Sequence, residues 1–152
     1  METLGQITVA IIIAVTSSYF TTQFALGKFY SEKWWEEKNK FYSEIVNLLN
    51  DLIRYCEVKK EDCGNGTKLI PELEIELREK HLKAYMEMKR VTTIASFTIS
   101  KEAEIILTNL RDRPKLKYEE NPICDLYEDD YKFYNKALTD IIRVAKKDLN
   151  KY

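Results

Sequence analysis

The stretch Leu4-Gly5-Gln6-Ile7-Thr8-Val9-Ala10-Ile11-Ile12-Ile13-Ala14-Val15-Thr16-Ser17-Ser18-Tyr19-Phe20-Thr21-Thr22-Gln23-Phe24-Ala25-Leu26-Gly27 carries no formal charge. With Thr3 it makes 25 uncharged residues between Glu2 and Lys28, which as α-helix extend ~37 Å at ~1.5 Å per residue, enough to cross a bilayer with some tilt. The expectation is a single membrane-spanning helix. Its apolar half is Ile7 to Val15, and Thr16, Ser17, Ser18, Thr21, Thr22 and Gln23 make the second half polar for a span. A cleaved signal peptide normally has a basic leader and a small-residue cleavage site. The leader here holds Glu2 and no base.

Working outward, Lys28, Lys33, Lys38 and Lys40 follow the span. Positive charge concentrated on that side predicts an outside amino terminus and a cytoplasmic remainder for a span in the inner (plasma) membrane. Tyr19, Phe20, Phe24, Phe29, Tyr30, Trp34 and Trp35 crowd the same end. Aromatic rings gather at membrane interfaces because one face tolerates lipid and the polar atom reaches water, so Tyr30, Trp34 and Trp35 are candidate interface residues. Packing of a tryptophan into the following domain is the competing role. At ~100° per residue, Gln6, Ala10, Ala14, Ser17, Ser18, Thr21, Ala25 and Lys28 share one broad face. Small and hydroxylated side chains there permit close helix approach and interhelical hydrogen bonds. Self-association without a pore, a narrow wet pore and a plain anchor all satisfy that face. Thr8, Thr16 and Gln23 fall elsewhere, so the segregation is incomplete.

The expected organisation is residues 1–30 as span and interface and residues 31–152 as one helical domain. All 24 basic residues, and every one of the 25 acidic residues except Glu2, lie from Lys28 onward, so the formal charge there is zero. Such balance argues against a general attraction to nucleic acid or anionic lipid and leaves only local patches. Cys56, Cys63 and Cys124 are odd in number, which fits a reducing compartment better than an oxidised secreted module. There the glycosylation triplet Asn65-Gly66-Thr67 is accidental.

From Ser31 to about Asp62, Trp34, Phe41, Ile45, Leu48, Leu49, Leu52 and Cys56 recur at helical spacing, a helix that can continue the span. Cys63-Gly64-Asn65-Gly66-Thr67 supplies turn chemistry, and Pro71 suits the first turn of a returning, antiparallel helix carrying Leu73, Leu77, Leu82, Tyr85, Met88, Val91 and Ala95. Ser100 is the expected cap of a third helix over about Lys101 to Asp112, with Glu102 and Glu104 at its positive end. Asn121-Pro122 starts a fourth, with Leu126, Tyr131, Tyr134, Leu138, Ile141, Ile142, Ala145 and Leu149 inward and Lys146 and Lys147 near its negative end. The fold class expected is all-α, an antiparallel bundle of about four helices behind a transmembrane helix.

Catalysis finds little footing. His81 is the only histidine, and one helical turn away lie Leu77, Arg78, Ala84 and Tyr85, which supply no base-and-nucleophile arrangement. The cysteine spacing lacks the paired ligands of a structural zinc site. Glu119-Glu120 and Glu128-Asp129-Asp130 spread around a helix and read as a solvated face rather than a cation site. Four glycines form neither a phosphate-cradling loop nor a dinucleotide fingerprint. The expectation is a non-enzyme without cofactor or metal. Lys59, Lys60 and Lys68 form one basic stretch, and Arg111, Arg113, Lys115 and Lys117 with Tyr118 form the densest. Either can grip phosphates, with Tyr118 available for stacking, or can be a soluble mixed-charge loop. Repetition around an oligomer axis would let weak patches act together.

The run Phe24-Ala25-Leu26-Gly27-Lys28-Phe29-Tyr30-Ser31-Glu32-Lys33-Trp34-Trp35-Glu36-Glu37-Lys38, with Ile99-Ser100-Lys101-Glu102-Ala103 and Ile141-Ile142-Arg143-Val144-Ala145-Lys146-Lys147-Asp148-Leu149, resembles small bacterial single-span membrane proteins over most of the chain. Proteins of this plan look like membrane effectors of anti-phage defence systems such as the Hailong type, in which a nucleotidyltransferase partner makes a nucleic-acid signal that controls a channel. The resemblance implies a homo-oligomer whose helical domains bind a single-stranded nucleic acid or nucleotide signal and whose spans form an ion path, depolarising the membrane and arresting growth. The matching segments are not catalytic. The alternative is a membrane-tethered adaptor that recruits a cytoplasmic protein partner.

Overall fold

The computed structural model describes the backbone of residues 2–65, 70–114 and 122–150, and the side chains of residues 13–64, 70–114 and 122–150. The described residues form four α-helices and no strand: α1 (Glu2–Asn65), α2 (Pro71–Thr98), α3 (Lys101–Arg111) and α4 (Ile123–Leu149). Local chemistry sets the starts. Pro71 stands in the first turn of α2, where its missing N–H costs nothing. The Ser100 hydroxyl accepts the Ala103 N–H at 3.5 Å and caps α3. Pro122 precedes α4 with no side-chain cap, and Asn121, the expected start signal, lies outside the described residues.

Lys38–Lys151 forms one compact unit and the residues up to Glu37 form another. In the larger unit α1 runs antiparallel to α2, as ion pairs Glu44–Arg90 and Lys59–Glu74 show. It also runs antiparallel to α4, through Tyr42–Asp148 and Lys60–Glu128. Arg143 and Lys147 of α4 both pair with Glu102 at the start of α3. The bundle expected of this unit is therefore present. Its core comprises Tyr42, Ile45, Leu49, Leu52 and Cys56 of α1, Ala84, Met88, Val91 and Ala95 of α2, Ala103 and Leu107 of α3, and Tyr134, Ala137, Ile141 and Val144 of α4.

Three side chains expected inside are outside. Leu73, Leu82 and Ile142 are exposed, while Ala84 and Val144 are buried. On α2 the buried stripe is Leu77, Ala84, Met88, Val91 and Ala95. Leu82 stands five residues beyond Leu77, ~140° around the helix, so bulk without the right phase leaves it in solvent. Trp34, given a possible core role by its spacing with Phe41, is exposed.

One buried carboxylate ties three segments of the unit. Asp148 of α4 accepts the Tyr42 hydroxyl of α1 at 2.6 Å and the Ser100 backbone N–H, at the α2–α3 junction, at 3.2 Å. Burial works against its charge, but these hydrogen bonds outweigh that and hold the carboxyl below its usual range. Burial first, and the bond to Asp148 second, push the Tyr42 hydroxyl well above its ordinary value.

The other unit differs. Among described residues 13–37 none is buried, and only Ser31 is half-buried. Among the described residues no helix is long and apolar enough to cross a membrane. The most apolar run, Ile7 to Ile12, lies outside the residues whose side chains are described.

Candidate functional site: an ion-pair belt and a polar helix face

The sequence-designated residues fall into two places. On α1, Ala14, Ser17, Ser18, Thr21 and Ala25 are all exposed, and Gln6 and Ala10 lie outside the described side chains. Three threonine hydroxyls in this stretch are satisfied internally: Thr21 donates to the Ser17 carbonyl and Thr22 to the Ser18 carbonyl, each at 2.8 Å, and Thr16 to the Ile13 carbonyl at 3.2 Å. Back-bonding of this kind lets a hydroxyl sit in an apolar setting without an orphan donor. Between them stand Ile13, Val15, Tyr19, Phe20, Phe24 and Leu26, all exposed, Phe24 to 78%. Tyr30, Trp34 and Trp35 are exposed further along the same helix.

The basic residues are placed on the larger unit, and every described one is already engaged. Lys59 pairs with Glu74, and Arg111 with Asp112 at 2.7 Å. Lys60 reaches Glu128 at 2.9 Å and lies over the Tyr131 ring at 4.5 Å. Arg113 reaches Asp130 at 2.8 Å, pairs with Asp129, and stacks over Phe133 at 4.2 Å. Lys115, Lys117 and Tyr118 lie outside the described residues, as do Lys68 and Glu119-Glu120.

The acidic run on α4 thus does more than face water. Glu128 takes Lys60 and Lys132, and Asp129 and Asp130 take Arg113, so one turn of α4 bridges α1 to the segment after α3. The Lys60 and Lys132 ammonium groups hold the Glu128 carboxyl below its ordinary value. The Lys60 arm of the bridge is not legible in the sequence because it links residues about seventy apart in the chain, and spacing along one helix carries no such information.

Beneath this belt is a cavity of about 30 Å³, room for one or two waters. Leu52, Met88, Leu110 and Tyr134 provide its apolar wall, and Lys89, Arg113 and Asp130 its polar side. Burial, followed by the nearby Asp130 carboxylate, pushes the Tyr134 hydroxyl well above its usual pKa, so it is a neutral donor at physiological pH. The cavity holds no ligand larger than water as it stands. Access to Arg113 by an anion requires displacing Asp129 and Asp130.

His81 stacks on Tyr55 at 4.1 Å, and Tyr55 meets Tyr127 edge to face at 6.1 Å. This places the histidine in an aromatic cluster linking α2, α1 and α4. Among the described residues no group of three or more His, Cys, Asp or Glu side chains is arranged to hold a metal ion. The comparisons add no relative: no family model matches the chain, and neither a curated protein nor a solved structure does.

Proposed function

We propose that this protein is a non-enzymatic, membrane-anchored homo-oligomeric effector, a ligand-controlled ion channel of bacterial anti-phage defence whose opening depolarises the membrane and arrests growth. The residues before Lys28 cross the inner membrane once with the amino terminus outside, and the helical unit faces the cytoplasm. The observation that carries this reading is the exposure of Ile13, Val15, Tyr19, Phe20, Phe24 and Leu26 on the charge-free first part of α1. So much apolar surface needs lipid or other copies of the chain to cover it. The internally bonded hydroxyls of Thr16, Thr21 and Thr22 fit a helix whose polar side meets neighbouring helices or a wet path. A nucleotide or single-stranded nucleic-acid signal would act by competing with the carboxylates that hold Lys60 and Arg113.

Purified full-length protein in liposomes tests the proposal. Oligomers in detergent and ion flux that changes when Ser17 or Thr21 becomes Leu are expected. A monomer that conducts nothing, with or without extract of infected cells, overturns it.

A membrane-tethered adaptor is favoured by a separate observation. Ile75, Leu82, Met86 and Phe97 are exposed along α2, Phe97 to 82%, and suit a protein partner. Replacing residues 4–27 by an unrelated apolar helix distinguishes the two, since an adaptor keeps its function and a channel loses it.

A further inference from the structure

We propose that Cys63 and Cys124 are an oxidation site: a peroxide converts them to an intrachain disulfide that staples the end of α1 to the beginning of α4. Register places them together. Tyr42 meets Asp148 and Lys60 meets Glu128, so 18 residues forward along α1 correspond to 20 backward along α4. One more turn in the same direction brings position 63 opposite position 124. Lys60 over Tyr131 and Tyr55 against Tyr127 hold the two helices in contact in the turns just before that level of α1. The two side chains lie near enough for Cys124 to act directly on the Cys63 thiol.

Accessibility separates this pair from the third thiol. Cys63 and Cys124 are half-buried and Cys56 is buried in the core. Both members of the pair stand in terminal turns, Cys63 near the Asn65 end of α1 and Cys124 in the first turn of α4. Terminal turns can shift enough to meet the strict geometry of an S–S bond. The neighbouring Cys124 thiol, and then burial, push the Cys63 thiol up to about 11. At neutral pH Cys63 therefore stays protonated and reacts slowly, and faster as pH rises, because the thiolate is the nucleophile.

The chemistry balances with one hydrogen peroxide. A thiolate sulfur attacks one peroxide oxygen, the O–O bond breaks, and the departing hydroxide takes a proton and leaves as water. The resulting sulfenic acid is attacked by the neighbouring sulfur; the S–S bond forms, the S–O bond breaks, and a second water leaves with the remaining thiol proton. Two thiols are oxidised by two electrons and the peroxide is reduced by two. The closed loop contains α2 and α3, so the staple restrains half of the bundle through the unfolded chain.

The test uses the full chain, reduced, treated with hydrogen peroxide, blocked with a maleimide and mapped without reduction. The expected result is a peptide linking Cys63 to Cys124, with Cys56 recovered as a thiol and the link reversed by dithiothreitol. The thermal midpoint should rise by ~10 °C on oxidation. Cys63→Ser and Cys124→Ser should each abolish link and shift. Pairing with Cys56, links between chains only, separate overoxidised thiols, an unmoved midpoint, or no reaction where a free model thiol is consumed would each overturn the proposal.

Discussion

Two stretches of α1 have similar hydrophobic content and opposite fates. From Tyr42 to Cys56 the helix buries Tyr42, Ile45, Leu49, Leu52 and Cys56, while from Ile13 to Leu26 it buries nothing. The difference lies in what surrounds the apolar residues. In the later stretch they keep one phase at intervals of three or four, with Glu44, Asn47, Asn50, Asp51 and Arg54 outside. In the earlier one apolar and aromatic residues go all round, with hydroxyls rather than charges between them, and the membrane proposal rests on that pattern. A stripe folds against its own chain; a sleeve has no single face to bury there.

The sharpest way to break this contrast is to truncate one side chain in each stretch. Leu49→Ala should destabilise the larger unit by ~3 kcal/mol, because the buried site loses both transfer energy and packing. Phe24→Ala should leave the denaturant midpoint of that unit unchanged, altering instead detergent oligomer size or liposome partition. Urea unfolding followed by circular dichroism, with size analysis of the same samples, reads both. A Phe24→Ala variant as unstable as Leu49→Ala would mean that the ring packs against the chain after all.

Next in size is Asp148→Asn, expected to cost ~2 kcal/mol, since bonds from Tyr42 and Ser100 to a buried carboxylate are charge-assisted. Its pH dependence has a definite sign. The folded pKa lies below the ordinary carboxylate value of ~3.9. The contribution is therefore complete above about pH 4 and is lost as pH falls through the folded value. The gap between wild type and variant should close in acid. Tyr42 has the opposite limb: its folded pKa is raised, so its contribution holds below the ordinary value of ~10 and is lost as pH climbs past it. Tyr42→Phe should remove part of the alkaline loss of stability, Tyr134 retaining its own. The segment before Glu37 has no comparable buried ionisable group among its described residues, so its properties should not follow this profile.

Arg113→Ala should cost ~1–2 kcal/mol, measured by the same unfolding experiment, because a mostly buried guanidinium leaves Asp130 and the Phe133 face without it. Arg113→Lys should recover little of that, since one ammonium cannot serve two carboxylates and a ring in the same way.

Much of the larger unit was legible because its signals are local. Pro71, Ser100 and Pro122 mark helix starts that the structure places within a residue. The inner faces were legible in part. Leu82 and Ile142 were drawn inward by their bulk, but helices approach here over Ala84, Ala95, Ala103 and Ala137, so phase decided and size did not. Asp148 illustrates the same limit, for it is buried in the stripe of Ile141 and Val144, and the spacing of apolar residues does not mark a carboxylate as part of the inner face. The ion-pair belt and the meeting of Cys63 with Cys124 depend on the register between α1 and α4, which no single helix encodes.

The smallest effects belong to exposed ion pairs, where the two regions should become alike. Lys80 reaches Glu76 at 2.6 Å on α2, and Lys28 lies 3.7 Å from Glu32 on α1, all four side chains being largely in solvent. Such pairs exchange one well-hydrated arrangement for another and contribute almost nothing once salt screens them. Lys80→Ala and Lys28→Ala should each leave the unfolding midpoint unmoved. Lys28→Ala carries one further consequence under the membrane reading: it removes one of four lysines, at positions 28, 33, 38 and 40, that set orientation. Protease protection in inverted vesicles should remain as in wild type with one lysine gone and change only when all four are replaced. Reversal by the single substitution would mean that orientation rests on Lys28 alone, and that the exposed α1 residues differ from the rest of the surface in charge as well as in apolar content.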